Sequence, residues 1–132
     1  MSTHTPQLKH VKLLQRIALI VLTLFAVLIC GFALVSGAGT FGSDPSSLLE
    51  NSPNTLPWLG LLVLVYLAWR NKLIGGLLIG LMGLILTWFF NFRGQNFFLI
   101  TFVICLSITF LGFLIWMCEQ LIRAANKQES NV

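Results

Sequence analysis

The sequence predicts an all-α fold: a polytopic membrane protein whose four transmembrane helices form a bundle. The 132 residues are 57% hydrophobic and only 9% charged, whereas soluble domains carry about 25% charged residues. So few charged side chains cannot cover a water-facing surface. The charged residues also fall at the ends of the apolar runs rather than within them. We therefore expect a single domain inserted in a membrane.

The apolar runs divide the chain into three regions. We expect a basic N-terminal flank at residues 1–16, a transmembrane domain at 17–118 and a polar tail at 119–132. Four spans are predicted at about residues 17–36, 55–69, 73–90 and 97–118, since a span needs about 20 apolar residues. The longest loop, residues 37–55, is acidic, with Asp44 and Glu50 as its only charges. A turn is expected at residues 91–96.

The first apolar run extends from Ile17 to about Val35 without a charge. Together with its basic start and the small residues Ser36-Gly37-Ala38, it has features of a secretory signal. The run is longer than the apolar core of about 7–15 residues that is typical of signal peptides. We therefore favour a retained span.

The second span is short if it starts at Pro57, which suits the first turn of a helix. From Pro57 to Trp69 there are 13 residues, or ~20 Å of helix. Either the helix starts a turn earlier or the bilayer thins around it. Trp58 and Trp69 bracket this span as interfacial aromatic residues do.

Small residues recur at helical spacing in three spans, a pattern that allows helices to approach closely in membranes. The candidate packing residues are Ala26, Cys30 and Ala33 in the first span, Gly76, Gly80 and Gly83 in the third, and Thr101, Cys105 and Thr109 in the fourth. Such stripes serve packing within one chain or between two chains, and the sequence leaves both open.

The cations predict the orientation. Seven of the eight lie in segments that four spans place on one side, namely Lys9, Lys12, Arg16, Arg70, Lys72, Arg123 and Lys127. Arg93 lies on the opposite side. The positive-inside rule therefore predicts that both termini are cytoplasmic, N-in and C-in. We expect the cations, with Trp58 and Trp69, to anchor the protein to lipid, the basic side facing anionic headgroups. Glu119 and Arg123 are expected to pair along the last helix.

The sequence offers no motif for catalysis. No charged residue lies in the middle of a span, where it would mark a proton or ion pathway. The three cysteines, Cys30, Cys105 and Cys118, form no C-x-x-C pair. Neither a metal-ligand cluster nor a nucleophile with a neighbouring base is found. We expect no enzyme activity, no cofactor, no metal and no nucleic-acid partner.

One set of motifs resembles a known family. Pro57, the turn Ala68-Trp69-Arg70, the start Leu73-Ile74-Gly75-Gly76 and the later Gly83 are similar to the pattern of small bacterial four-span membrane proteins known only as a domain of unknown function. The resemblance covers roughly residues 13–116. It implies a four-span fold in a bacterial inner membrane, and no activity or site residue.

Two functions fit these observations. The first is a structural or accessory membrane protein that packs against itself or against another membrane protein. The second is a minimal channel or carrier for a small neutral solute, built on the face that carries Thr101 and Thr109.

Overall fold

The computed structural model of the protein describes residues 5–37, 52–93 and 97–131. These residues form four helices: α1 (Thr5–Gly37), α2 (Ser52–Arg70), α3 (Lys72–Asn91) and α4 (Leu99–Ser130). The prediction of an all-α chain with four helices is confirmed. By length and composition α1, α3 and α4 can each cross a membrane, while α2 contributes the shorter apolar stretch Leu56–Arg70. Residues 38–51 of the predicted acidic loop, which include Asp44 and Glu50, lie outside the described residues, as do residues 94–96 of the predicted turn. Residues 52–55, predicted as loop, are helical instead.

The helices extend beyond the predicted spans. In α1, 33 residues form one helix, ~50 Å long, so the basic flank continues directly into the apolar run. In α4, 32 residues continue as helix to Ser130, through most of the predicted polar tail. The 19 residues of α2 begin at Ser52, before Pro57, which gives this helix ~28 Å. The helix therefore starts before Pro57, while its apolar part, Leu56–Arg70, stays shorter than the other three apolar helices.

The helices pack as a ring in which each contacts two others. α1 contacts α2 and α4, and α3 contacts α2 and α4, while the two diagonal pairs do not touch within the described ranges. Consecutive helices run in opposite directions. We call one end of the ring the basic end, where the start of α1 (Gln15) meets the later part of α4 (Glu119). At the opposite end, the later part of α1 (Phe32) and the start of α4 (Ile100) line a cleft, and we call this end the cleft end.

A single residue, Asn71, joins α2 to α3. Its N–H donates to the carbonyl of Leu67 at 2.7 Å and so completes the last turn of α2. Its side-chain oxygen accepts a hydrogen bond from the N–H of Ile74 at 3.4 Å and caps α3, as asparagine commonly does. The two helices then approach so closely that a Cβ on Gly75 would overlap the backbone of Ala68. Glycine is therefore required at the start of α3.

The most extensive contact joins α3 and α4. At its centre Gly112 of α4 lies directly on the α3 backbone at Ile79 and Gly80, where an added Cβ would overlap main-chain atoms. Main-chain atoms cannot move aside as the end of a flexible side chain can. The spacing of α3 and α4 therefore depends on the missing side chain of Gly112.

We predict that Gly112→Ala lowers the free energy of unfolding by about 1–3 kcal/mol, because the new methyl group must push the two backbones apart. Gly31→Ala is the matched control, since nothing lies within 4 Å of a Cβ at Gly31. That change should leave stability the same or raise it by up to about 1 kcal/mol, since alanine favours helix over glycine. Thermal unfolding of both variants in one detergent measures the difference. Equal stability of the two variants would contradict this account.

Candidate functional site

The α3 stripe of small residues faces α4 of the same chain. Gly76, Gly80 and Gly83 are all buried. A Cβ on Gly76 would stand 2.8 Å from the backbone nitrogen of Trp116, and one on Gly83 would overlap the backbone and hydroxyl of Thr109. Because α4 fills this face, no second chain has access to these glycines.

The α4 stripe divides between two environments. Cys105 and Thr109 are buried, and the Thr109 hydroxyl donates back to the carbonyl of Cys105 at 2.9 Å. Thr101, two turns earlier, is partly exposed and lines a cleft. The two threonines therefore do not form one continuous polar lining.

The α1 stripe is also turned inward. Ala26, Cys30 and Ala33 are buried in the core. Thr23 begins the same stripe, and its hydroxyl accepts a hydrogen bond from Nε1 of Trp69 at 3.1 Å while it donates back to its own helix at 2.7 Å. This pair joins α1 to the last turn of α2. Trp69, predicted as an interfacial anchor, is thus exposed while its indole N–H is hydrogen-bonded to α1.

A polar cluster joins α1 to α4 at the basic end. Gln15 is 1% exposed, and its Nε2 donates to the carbonyl of Ile115 at 3.3 Å and to Oε2 of Glu119 at 3.1 Å. The other carboxylate oxygen of Glu119 accepts from Nε of Arg123 at 3.0 Å, so the predicted pair along α4 is confirmed. Sequence reasoning missed Gln15. Its signal is its spacing of four residues from Leu19, on the buried face of α1.

The surroundings of Glu119 favour its charged form. Burial is the strongest single influence and would raise the pKa of this carboxyl. The hydrogen bonds from Gln15 and Arg123, together with the charges of Arg123 and Lys72, outweigh burial and hold the pKa of Glu119 below its ordinary value of 4.5. Lys72 begins α3, so the carboxylate interacts with groups from three helices.

The residues that were predicted to anchor the protein to lipid differ in their exposure. Lys9, Lys12, Arg16, Arg70 and Arg123 are exposed and Lys72 is partly buried. Trp58 is 8% exposed, because its ring stacks on Phe90 with the ring centroids 5.8 Å apart. It therefore lies inside the ring of helices, not on the outer surface.

An apolar cleft separates α1 from α4 at the cleft end. Its volume is about 520 Å³, within the range of about 300–1,000 Å³ that is usual for ligand sites. It is lined by Phe25, Leu28, Ile29, Phe32, Ala33, Trp58, Phe90, Ile100, Thr101 and Ile104. We call it the α1–α4 cleft. Among these residues Thr101 carries the single hydroxyl.

A second depression lies on the outer surface between α2 and α3. It has a volume of about 350 Å³ and is lined by Leu56, Pro57, Met82, Ile85, Leu86 and Phe89. We call it the α2–α3 groove. The guanidinium carbon of Arg93 lies 5.2 Å from the centroid of the Phe89 ring, a cation–π contact at the end of the groove.

The described side chains offer little chemistry for catalysis. No group of three or more His, Cys, Asp or Glu residues among them is close enough to hold a metal ion. Cys30, Cys105 and Cys118 are free thiols, each buried.

Comparison with known proteins places the chain in a family. Residues 7–129 match the model of a domain of unknown function (DUF7670). Since the match covers nearly the whole chain, the protein belongs to this family. No curated protein and no solved structure shows significant similarity to it. The expectation of a domain-of-unknown-function family is thereby confirmed, while the particular motif pattern and the bacterial origin stay predictions.

We predict that acid weakens the basic end through Glu119. Because its pKa is lower in the folded protein, its contribution to stability is complete above a pH of about 4.5 and is lost as the pH falls through the lowered value. Glu119→Gln should reduce the free energy of unfolding at neutral pH by about 1 kcal/mol and flatten the acid dependence. Thermal unfolding in detergent between pH 3 and pH 7 (about the range over which carboxyls titrate) measures both effects. The exposed Glu129 provides the control Glu129→Gln, and an equal effect of the two substitutions would refute the prediction.

Proposed function

We propose that this member of the DUF7670 family is a four-span protein of a bacterial inner membrane with both termini in the cytoplasm. In this proposal it acts as a structural or accessory protein by packing side by side with another membrane protein or with a second copy. The observation that carries the proposal is the apolar outer surface of all four helices. Large apolar side chains are exposed on each, among them Leu28, Phe32, Val63, Ile85 and Ile100.

The charge distribution supports the proposed orientation. Seven of the eight cations belong to the segments of the basic end. The hydrogen bond from Gln15 to Glu119 and the effect of the Lys72 charge on the same carboxylate indicate that three of these segments lie near one another. A basic end of this kind would face the cytoplasm and its anionic lipid headgroups.

The small-residue faces are occupied within the chain, which leaves the outer surfaces of the helices available to a partner. The face of α3 that carries its glycines is covered by α4, and the small-residue stripe of α1 is buried in the core. A partner helix would therefore meet large side chains. The α1–α4 cleft is an apolar recess of about 520 Å³, and its lining residues Phe32 and Ile100 are exposed. An apolar transmembrane helix can contact both.

A minimal channel or carrier for a small neutral solute has weaker support. In its favour, Thr101 lines the α1–α4 cleft. Against it, Thr109 is buried and lies against Gly83, so the hydroxyls of α4 do not continue from the cleft toward the basic end. Protein-dependent flux into liposomes, reduced by Thr101→Val, would revive this alternative.

We predict the sidedness of labelling by a membrane-impermeant maleimide. Asn131→Cys should react only after the cells are permeabilised, and Arg93→Cys should react in intact cells. The wild-type protein is the blank, because its three cysteines are buried and should not react. Reaction of Asn131→Cys in intact cells would contradict the proposed orientation.

We predict that a photoreactive phenylalanine analogue at Phe32 or Ile100 forms a discrete protein adduct in cell membranes. The adduct should be identified by mass spectrometry as a second copy of the chain or as one defined membrane protein. Tyr66 is a matched control, since it is similarly exposed on α2 but lies away from the cleft. Adducts with lipid alone at the cleft positions, or the same adduct at Tyr66, would oppose the accessory role.

A further inference from the structure

We infer that the α2–α3 groove and Arg93 form a binding site for an anionic phospholipid from the membrane leaflet at the cleft end. The phosphate would bind the Arg93 guanidinium, and one acyl chain would lie along the groove. This site is separate from the α1–α4 cleft and from the basic end. It rests on the membrane location proposed above, but not on the existence of a protein partner.

The groove has the shape and chemistry for an acyl chain. All six of its described lining residues are apolar, and its volume of about 350 Å³ falls in the range of about 300–1,000 Å³ typical of ligand sites. It opens at the outer surface, where Leu56 and Ile85 are exposed. An occupant would therefore enter from the side, as a lipid chain does, without passing through the core.

Arg93 places a positive charge at the end of this groove. Its guanidinium lies over the ring of Phe89, and Phe89 is itself a groove residue. A guanidinium presents five N–H donors in one plane, which suits the bidentate binding of a phosphate. The cation–π contact reduces the freedom of this long side chain before a ligand arrives. The site therefore combines an apolar channel with a positioned cation.

Charge complementarity identifies the occupant. Arg93 is the one Lys or Arg outside the seven of the basic end, so its position runs against the strong charge bias of the chain. Topology does not require a cation here, whereas an anionic headgroup beside the groove does favour one. A molecule with a negative head and an apolar tail matches both parts, and phospholipid is the amphiphile that surrounds a membrane protein. A transmembrane helix would fill the groove but would leave the cation without a matching charge.

The test uses full-length protein in vesicles of phosphatidylcholine that contain a trace of phosphatidylglycerol with a photoreactive acyl chain. Mass spectrometry of the digested protein should find acyl adducts on peptides that contain Leu56, Met82 or Ile85. The yield with phosphatidylglycerol should exceed that with equally labelled phosphatidylcholine. Arg93→Gln should reduce the excess about fivefold, as expected for one interfacial cation.

Two matched variants distinguish a site from general lipid contact. Lys127→Gln removes a cation from the basic end and should leave the groove adducts unchanged. Leu56→Trp should block the groove, whereas Val63→Trp, at a similarly exposed position on the same helix, should not. Equal yields with the two lipids, no effect of Arg93→Gln, or equal effects of the two tryptophan variants would each overturn the inference. The proposed orientation and accessory role are measured separately, by labelling and by crosslinking at the α1–α4 cleft.

Discussion

The close approach of α3 and α4 at Gly80 and Gly112 is the contact on which the rest of the arrangement depends. In lipid, apolar side chains gain little from leaving one apolar environment for another, so helix association relies on close packing. Gly112 lies on the α3 backbone without an intervening side chain. This pair fixes one side of the ring, and the Asn71 turn then fixes α2 beside α3, since Gly75 lies against Ala68. These contacts fix α2, α3 and α4 relative to one another but do not involve α1.

α1 packs through its buried apolar face and through two polar contacts rather than through glycines. Gln15 joins it to α4, and Thr23 joins it to Trp69 of α2. Gln15 lies in the first half of α1, and Thr23 lies near its middle. Beyond them, from Phe25 to Ala33, α1 and α4 are separated by the α1–α4 cleft. The two ends of the protein therefore differ in construction: one is held by hydrogen bonds, and the other leaves an apolar recess above the Trp58–Phe90 stack.

The sequence predicted the class and number of helices because composition and run length decide them. The spacing of Glu119 and Arg123 predicted their ion pair, because four residues bring two side chains together on any helix. The same reasoning had no means of singling out Gln15, since its partners are about a hundred residues away in the chain and depend on which helices are neighbours. Trp58 illustrates the same point: its type suggests an interface, but stacking on Phe90 decides its actual burial. For α2 the sequence left two alternatives, an earlier start or a thinner bilayer, and the helix does start before Pro57, which lies inside it.

The small-x-x-x-small pattern of α3 serves packing within the chain, because α4 covers the face that carries it. The sequence favours packing of Gly76 and Gly80 against a helix of the same chain but leaves contact with a second chain open. Since α4 occupies that face, an intermolecular contact through it would require α3 and α4 to separate. The surfaces that remain are the outer faces, where large apolar side chains are exposed, and the two recesses between them. In the accessory role proposed above, recognition of a partner or a lipid would therefore rely on the shape of these recesses and, in the α2–α3 groove, on the charge of Arg93.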